Sequence, residues 1–182
     1  LMQLCETLSA DEARCGIGHT RWATHGGVTD TNAHPHACGR VTLVHNGIIE
    51  NYQELAAKYG FGDKLSSQTD TEVVAALLDY YYEGDPGVAV FQTVRELKGT
   101  FALAVLFEDI PDTIYAIRNV SPIIAGVGKD AGESFLASDV TALTDYVEQY
   151  FVLPEYTLAA LSEDGITLTN DKGEIIEPKL LR

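Results

Sequence analysis

One short stretch of the chain holds most of its chemically distinctive residues, and it constrains the fold more than any other. Residues 16–51 contain all five histidines and the only tryptophan of the 182-residue sequence. Short apolar runs separate these residues, and such runs predict β-strands. Polar residues and glycines at strand ends are typical of a functional site on a rigid scaffold. The sequence therefore predicts that the chemistry of this protein is concentrated here.

A metal site is one interpretation of the histidines. His34 and His36 have a spacing that can chelate a metal, and neutral imidazole is a common ligand. However, no further ligands stand at close spacing, and the three cysteines form no CxxC pair. The sequence therefore favours no metal ion. For His19, which alternates with Ile17 along an expected strand, it favours a structural role.

Asn46 and Gly47 directly follow an apolar strand that we expect at residues 41–45. A hairpin turn is the commonest meaning of Asn-Gly after a strand. Acyl transfer is the alternative, because an amide side chain beside a glycine N–H supplies the two donors that an oxyanion hole needs. Residues 48–58 favour this alternative, since their apolar positions have helical spacing and a hairpin would continue as a strand.

The periodicity of the whole chain predicts a mixed α+β domain without the βαβ alternation of a parallel sheet. Helices are expected at residues 48–58, 70–83, 86–97 and 140–146, and strands at residues 16–22, 41–45, 100–107, 113–117, 122–127, 134–137, 150–153 and 166–169. Residues 110–112 are expected to form a turn. Ser138 and Asp139 predict the N-cap of the short helix, and Tyr80 to Tyr82 predict core and rim packing.

Composition excludes several classes of protein. The chain is 46% hydrophobic and 21% charged, which fits one ordinary soluble domain over residues 1–182. A formal net charge of −15 argues against nucleic acid as a partner. We see no signal peptide and no apolar run long enough for a membrane. Three unpaired cysteines favour a reducing compartment, so we expect a cytoplasmic protein.

Four ordered motifs resemble the glutaminase domain of the glutamine:fructose-6-phosphate aminotransferases. They are His19-Thr-Arg-Trp-Ala-Thr-His-Gly26, Asn32-Ala-His-Pro-His36, Val44-His-Asn-Gly-Ile-Ile-Glu-Asn51 and Thr69-Asp-Thr-Glu-Val73. The likeness runs from about residue 14 to the C-terminus, and several ordered motifs are more specific than any one of them. Amidophosphoribosyltransferases share the fold but typically have SDSEV in place of TDTEV and lack WATHG.

The resemblance implies a four-layer αββα sandwich of the Ntn-hydrolase type and a glutaminase that needs no cofactor. A cysteine at the start of the mature chain would attack the side-chain amide of L-glutamine, with its own α-amino group as the base. A thioester would form and ammonia would leave. The isomerase domains of the parent chain would then use the ammonia to make glucosamine 6-phosphate from fructose 6-phosphate.

The resemblance also implies roles for eight residues of this chain. Asn46 and Gly47 would hold the oxyanion. The other six would bind or enclose glutamine: Arg21 at the α-carboxylate, Asp70 at the α-ammonium, Thr24 and His25 near the carboxylate end, His34 along the pocket wall, and Trp22 at the gate for ammonia. Because Asp70 opens an expected helix, an N-cap role is its alternative.

The opening of the chain departs from the family pattern. The family begins with Cys-Gly-Ile-Val-Gly, whereas this chain begins Leu1-Met-Gln-Leu-Cys5. Cys15 starts a similar Cys-Gly-Ile-Gly run, but it has no free α-amino group, so we expect a buried residue at the start of a strand. The expectation is therefore a domain truncated at its N-terminus, without its nucleophile and inactive by itself. A non-catalytic glutamine-binding or interaction module remains an alternative, as does the glutaminase domain of another class II amidotransferase, such as amidophosphoribosyltransferase.

Overall fold

Two antiparallel β-sheets pack face to face, and helices cover the outer face of the larger one. The computed structural model describes residues 14–21, 26–130 and 132–181. The described residues form nine strands: β1 His36–Cys38, β2 Val41–Ile49, β3 Gly99–Phe107, β4 Ile110–Asn119, β5 Ile124–Gly128, β6 Ser134–Ala137, β7 Val147–Val152, β8 Leu158–Ser162 and β9 Gly165–Thr169. The α-helices of this part of the chain are α1 Tyr52–Tyr59, α2 Asp70–Tyr81 and α3 Pro86–Glu96. The α+β sandwich that the sequence predicts is confirmed.

The larger sheet has six strands in the order β1-β2-β3-β4-β8-β9, and the smaller has three in the order β6-β5-β7. Every neighbouring pair is antiparallel. Since hairpins and short connections can build antiparallel sheets, this topology agrees with the absence of βαβ units in the sequence.

Strand β3 separates the two cores of the sandwich. Its alternate residues Phe101, Leu103, Val105 and Phe107 are fully buried against the helices. Ala102, on the opposite face, packs in the cluster between the two sheets. Successive side chains of a strand point to opposite faces, so one apolar strand can serve both cores. Burial of each large apolar side chain contributes about 1.5–3 kcal/mol to the stability of the folded state.

Helix α2 is almost entirely buried and lies over β1 and β2. The Thr69 hydroxyl caps it by accepting from the backbone N–H of Glu72, so the helix starts at a defined place. Helix α3 starts with an Asp85 cap and a proline in its first turn. In the part of the chain that the structure describes, no helix is both long enough and apolar enough to cross a bilayer.

Several smaller predictions are also confirmed. The Asp139 side chain accepts from the backbone N–H of Thr141 and caps a short helical turn, as expected. Tyr82 is buried with 2% of its surface exposed, whereas Tyr80 is 59% exposed, so these tyrosines provide core and rim packing. Strand β6 has the predicted bounds.

Two predictions in the histidine-rich region are wrong. Residues 16–21 of the expected strand 16–22 form no strand, because Gly16 and Gly18 provide no side chains for a packed face. The helix expected from residue 48 begins at Tyr52, because β2 continues to Ile49. Ile49 is fully buried there and pairs with Gly99 of β3. Two consecutive isoleucines fit the periodicity of a helix or of a strand, and pairing with β3 makes them part of a strand.

Two further predictions along the chain are wrong. In addition, the sequence pattern does not identify strands β1 and β8. Residues 110–112, expected as a turn, open strand β4, and the turn falls at residues 108–109. The helix expected at residues 140–146 is a single 3-10 turn, Val140–Ala142. Short apolar segments such as these depend on sheet partners that a single sequence does not reveal.

Candidate active site

Gly47 interrupts the regular geometry of β2 at the place where the two proposed oxyanion donors lie. Its φ is +124°, which L side chains rarely adopt. A Cβ atom at this position would lie 2.2 Å from the backbone oxygen of Thr100. Next to it, the Ile48 N–H donates to the Thr100 hydroxyl at 3.3 Å. Only glycine therefore fits at this position of β2.

The side chain of Asn46 is exposed and bonded through its oxygen to a histidine. The Nε2 atom of His19 lies 2.7 Å from Asn46 Oδ1. The Nδ1 atom of the same ring accepts from the backbone N–H of Arg21 at 2.9 Å. Arg21 has a left-handed φ of +47°, and its guanidinium donates to the Gly27 carbonyl oxygen at 3.1 Å. The unusual backbone at Arg21 brings its N–H to the imidazole.

His34 lies under the His19 ring and is held in a buried polar network. The two ring centroids are 4.2 Å apart and the planes are inclined by 20°. His34 Nδ1 accepts from the backbone N–H of His45 at 3.2 Å, and its Nε2 lies 3.4 Å from the Thr71 hydroxyl. Burial, followed by the neighbouring imidazoles and the guanidinium of Arg21, lowers the pKa of His34 to about 3. His34 is therefore neutral at physiological pH.

The first turn of α2 joins this network to the end of β2. Asp70 is buried, and its Oδ2 accepts from the backbone N–H of Ile49 at 2.8 Å. The same oxygen lies 3.9 Å from Nδ1 of His45. Thr69 rather than Asp70 caps the helix, so the N-cap alternative for Asp70 is wrong. The Thr69 hydroxyl also lies 3.0 Å from Nε2 of His36.

A cleft between the two sheets opens beside Asn46. Its volume is about 570 Å³, and its walls come from residues 16–20, 44–46, 102–104 and 134–138. Ligand sites are typically clefts of this size with a few polar groups among apolar walls. The exposed amide of Asn46 supplies such a group.

The structure thus brings together four distant parts of the sequence. Hydrogen bonds and one ring contact link Arg21, Asn46 and His34 through His19. His34 in turn accepts from the backbone N–H of His45, whose Nδ1 lies 3.9 Å from the Asp70 carboxylate. Trp22, Thr24 and His25, which were also expected at the site, lie outside the described residues. Among the residues that are described, no group of three or more histidine, cysteine or acidic side chains could hold a metal ion.

The sequence did not indicate that His19 belongs to the candidate site. We expected a structural histidine on a strand, but its ring contacts Asn46 directly. Its position two residues before Arg21 was the available signal. That signal was hidden because alternation with Ile17 imitates a strand.

Cys15 does not have the surroundings of a nucleophile. Its thiol donates to the Pro111 carbonyl oxygen at 2.7 Å. Burial, followed by the nearby carboxylate of Asp112, raises the pKa of the thiol. A reactive cysteine needs its thiolate form, which both effects disfavour. The residue is half-buried and lies outside any strand, so the expected burial at a strand start is only partly met.

Known proteins resemble this chain in both sequence and fold. Residues 19–145 match the family described as glutamine amidotransferase domain. The chain is 48% identical over 172 residues to the glutamine–fructose-6-phosphate aminotransferase (isomerizing) of Symbiobacterium thermophilum, covering 93% of this chain and 28% of that protein. The enzyme of the same name from Aquifex aeolicus is 45% identical over 173 residues, with 93% and 29% covered. The chain therefore spans less than a third of the length of these relatives.

Solved structures support the fold. The glutamine phosphoribosylpyrophosphate amidotransferase of B. subtilis superposes with a TM-score of 0.69 at 19% identity, covering 86% of this chain and 35% of that one. A glutamine aminotransferase class-II domain protein from Silicibacter pomeroyi gives a TM-score of 0.56 at 18% identity, with 77% and 70% covered. At such identities the likeness concerns the fold alone. The match over residues 19–145 shows that this chain belongs to the glutamine amidotransferase domain family.

Proposed function

We propose that this chain is the glutaminase domain of a glutamine:fructose-6-phosphate aminotransferase. It hydrolyses the side-chain amide of L-glutamine and passes the ammonia to isomerase domains, which convert fructose 6-phosphate to glucosamine 6-phosphate. The two relatives named above support the choice of sugar phosphate. The observation that carries the glutaminase role is the exposed Asn46 amide beside Gly47 at the cleft between the sheets.

The proposed reaction uses an amino-terminal cysteine of the complete protein as the nucleophile. Its thiolate attacks the amide carbon of glutamine, and its α-amino group holds the proton that the thiol has lost. The carbon–nitrogen bond then breaks, the proton moves to the leaving nitrogen, and ammonia departs from a thioester. Water hydrolyses the thioester, which releases glutamate and restores the thiol.

Asn46 and Gly47 stabilise the charge that develops in both steps. The amide carbon becomes tetrahedral, and its oxygen becomes negative. The Asn46 NH2 group and the Gly47 N–H are the two donors proposed for this oxygen. Donors that are already oriented stabilise the transition state without reorganisation, which is usually the largest electrostatic contribution to catalysis.

Arg21 and Asp70 select the substrate by its two charged ends. The planar guanidinium of Arg21 suits the α-carboxylate, and the carboxylate of Asp70 suits the α-ammonium. Both lie on the same network as Asn46. Trp22, Thr24 and His25 keep the roles that the family resemblance implies: the first at the ammonia gate, the other two near the α-carboxylate.

A cytoplasmic location is part of the proposal. Cys15 and Cys38 are both free thiols. Free thiols persist in a reducing compartment, where glutathione and thioredoxin keep them reduced.

Replacement of Asn46 by alanine in the complete protein tests the glutaminase role. We expect kcat for ammonia release from L-glutamine to fall by about 10²–10³-fold, with little change in KM, because the donor acts where charge develops. Cys15→Ala is the matched control and should keep its kcat, since that thiol lies against Pro111. A normal kcat in Asn46→Ala would contradict the proposal and leave Asn46 a structural residue of β2.

A further inference from the structure

We propose that His19 is a positioning residue that holds the Asn46 amide with its NH2 group turned towards the cleft. This inference rests on the proposed oxyanion role of Asn46 and explains how that role is maintained. An asparagine side chain can present either its oxygen or its NH2 group in a given direction. An oxyanion hole works only when the donor faces the substrate, so some neighbour must choose between the two.

The backbone determines which nitrogen of His19 carries the proton. A backbone N–H can only donate, and that of Arg21 points at His19 Nδ1 over 2.9 Å. Nδ1 must therefore be the unprotonated nitrogen of a neutral ring. The proton of a neutral imidazole then lies on Nε2.

The protonated Nε2 in turn determines the orientation of Asn46. Nε2 lies 2.7 Å from the Asn46 side chain, and a donor at that distance requires the oxygen rather than the NH2 group. Because Oδ1 and Nδ2 lie on opposite branches of one carbon, binding the first turns the second away from the imidazole. Among the described residues, the Nδ2 atom has no hydrogen-bond partner, and Asn46 lines the cleft.

The His19 ring cannot turn easily, because neighbours hold it on three sides. Its edges contact Arg21 and Asn46, and one face stacks on His34 at 4.2 Å. His34 is itself held by the His45 N–H and the Thr71 hydroxyl. A group held within such a supporting shell keeps the geometry that catalysis needs.

Two substitutions of His19 separate its two hydrogen bonds. The side chain of asparagine reaches the position of Nδ1, so His19→Asn can keep the Arg21 contact but not the Asn46 contact. The longer side chain of glutamine reaches the position of Nε2, so His19→Gln can still donate to Asn46. Arg14→Ala is the control for the segment, because the one ion pair of Arg14 among the described residues is an exposed contact with Glu163.

The experiment is a double-mutant cycle in the complete protein, with ammonia release from L-glutamine as the readout. We expect His19→Asn to lower kcat by about 10–50-fold with KM within about twofold, and His19→Gln to stay within about fivefold of wild type. Arg14→Ala should not change kcat. In the Asn46→Ala background, His19→Asn should cause no further loss, since there is no amide left to orient.

The outcomes distinguish this inference from the proposed function. If Asn46→Ala lowers kcat and His19→Asn multiplies that loss, His19 acts independently of Asn46 and the inference is overturned. A raised KM with unchanged kcat in His19→Asn would also overturn it. A normal kcat in Asn46→Ala overturns the proposed function and this inference with it. Should His19→Asn fail to fold, His19→Gln decides, because a loss above about 50-fold in a folded variant that retains the donor contradicts the inference.

Discussion

Strand β2 and the segment of residues 14–21 carry the two halves of the candidate site, but different forces hold them. All nine residues of β2 pair with β3, and Val41, Leu43 and Ile49 are fully buried. In residues 14–21, by contrast, no described residue belongs to a strand, and exposed positions alternate with half-buried ones. Side-chain contacts such as the Cys15–Pro111 hydrogen bond hold this segment instead.

The two proposed roles of the site, oxyanion stabilisation and carboxylate binding, lie in these two different regions. The proposed oxyanion donors belong to a strand that the whole fold supports. The proposed carboxylate ligand, Arg21, belongs to a segment that a few side chains hold in place. Changes in β2 should therefore affect both stability and rate, whereas changes at His19 and Arg21 should mainly affect function.

The largest effect is expected for Gly47→Ala, with Gly18→Ala as its matched control. A Cβ at Gly47 would meet the Thr100 carbonyl oxygen at 2.2 Å in a backbone that disfavours L side chains. We expect a loss of about 2–4 kcal/mol in the free energy of unfolding and of most activity. Nothing lies within 4 Å of a Cβ at Gly18, so Gly18→Ala should change the free energy of unfolding by less than about 0.5 kcal/mol. Urea denaturation measures the free energy of unfolding of both variants. Equal losses would show that β2 and residues 14–21 do not differ in how firmly the fold holds them.

Substitution of Asp70 tests whether a residue on the rigid side of the site also binds substrate. Asparagine can still accept from the Ile49 N–H, so Asp70→Asn should fold nearly normally. It removes the charge opposite the α-ammonium, and KM for L-glutamine should rise by about 30-fold or more. Asp70→Ala should also lower stability by about 1–3 kcal/mol, because it leaves the Ile49 N–H unsatisfied.

Steady-state kinetics and thermal melts of the two Asp70 variants separate these effects. A normal KM in Asp70→Asn would make Asp70 a purely structural partner of β2. The contact to the amino group would then have to come from another residue.

The smallest effect concerns His34, which lies where the two regions meet. Its pKa is about 3 in the folded protein and 6.5 ordinarily, chiefly because of burial. Below pH 6.5 the unfolded chain binds a proton that the folded chain does not, so stability falls as the pH falls. Because His34 is only half-buried, solvent screening limits the loss to about 1 kcal/mol between pH 7 and pH 5. Urea denaturation at both pH values should show a smaller decrease in His34→Gln, and an equal decrease would exclude His34 as the cause.

The long elements of the fold were predictable from the sequence. Helix α2 carries a sustained apolar pattern, and its start follows a threonine cap. Strand β3 has an unbroken apolar run that serves two cores. Because such patterns are local and long, the elements that they predict also form in the tertiary structure.

The predictions that were wrong concern residues whose structure depends on partners far away in the chain. Ile48 and Ile49 fit a helix or a strand, and pairing with Thr100 and Gly99 made them a strand. Gly16 and Gly18 imitate a strand by alternation but provide no side chains to pack. The place of His19 beside Asn46 joins residues 27 positions apart, which no local pattern reveals.

The family and the α+β class follow from the sequence, because motifs and periodicity are properties of neighbouring residues. Only the tertiary structure fixes how the residues of the candidate site are arranged. It placed Asp70 on the Ile49 N–H rather than at the helix cap, and it oriented the Asn46 amide through His19. The direction of a hydrogen bond depends on donors and acceptors from separate segments, and these meet only when the chain has folded.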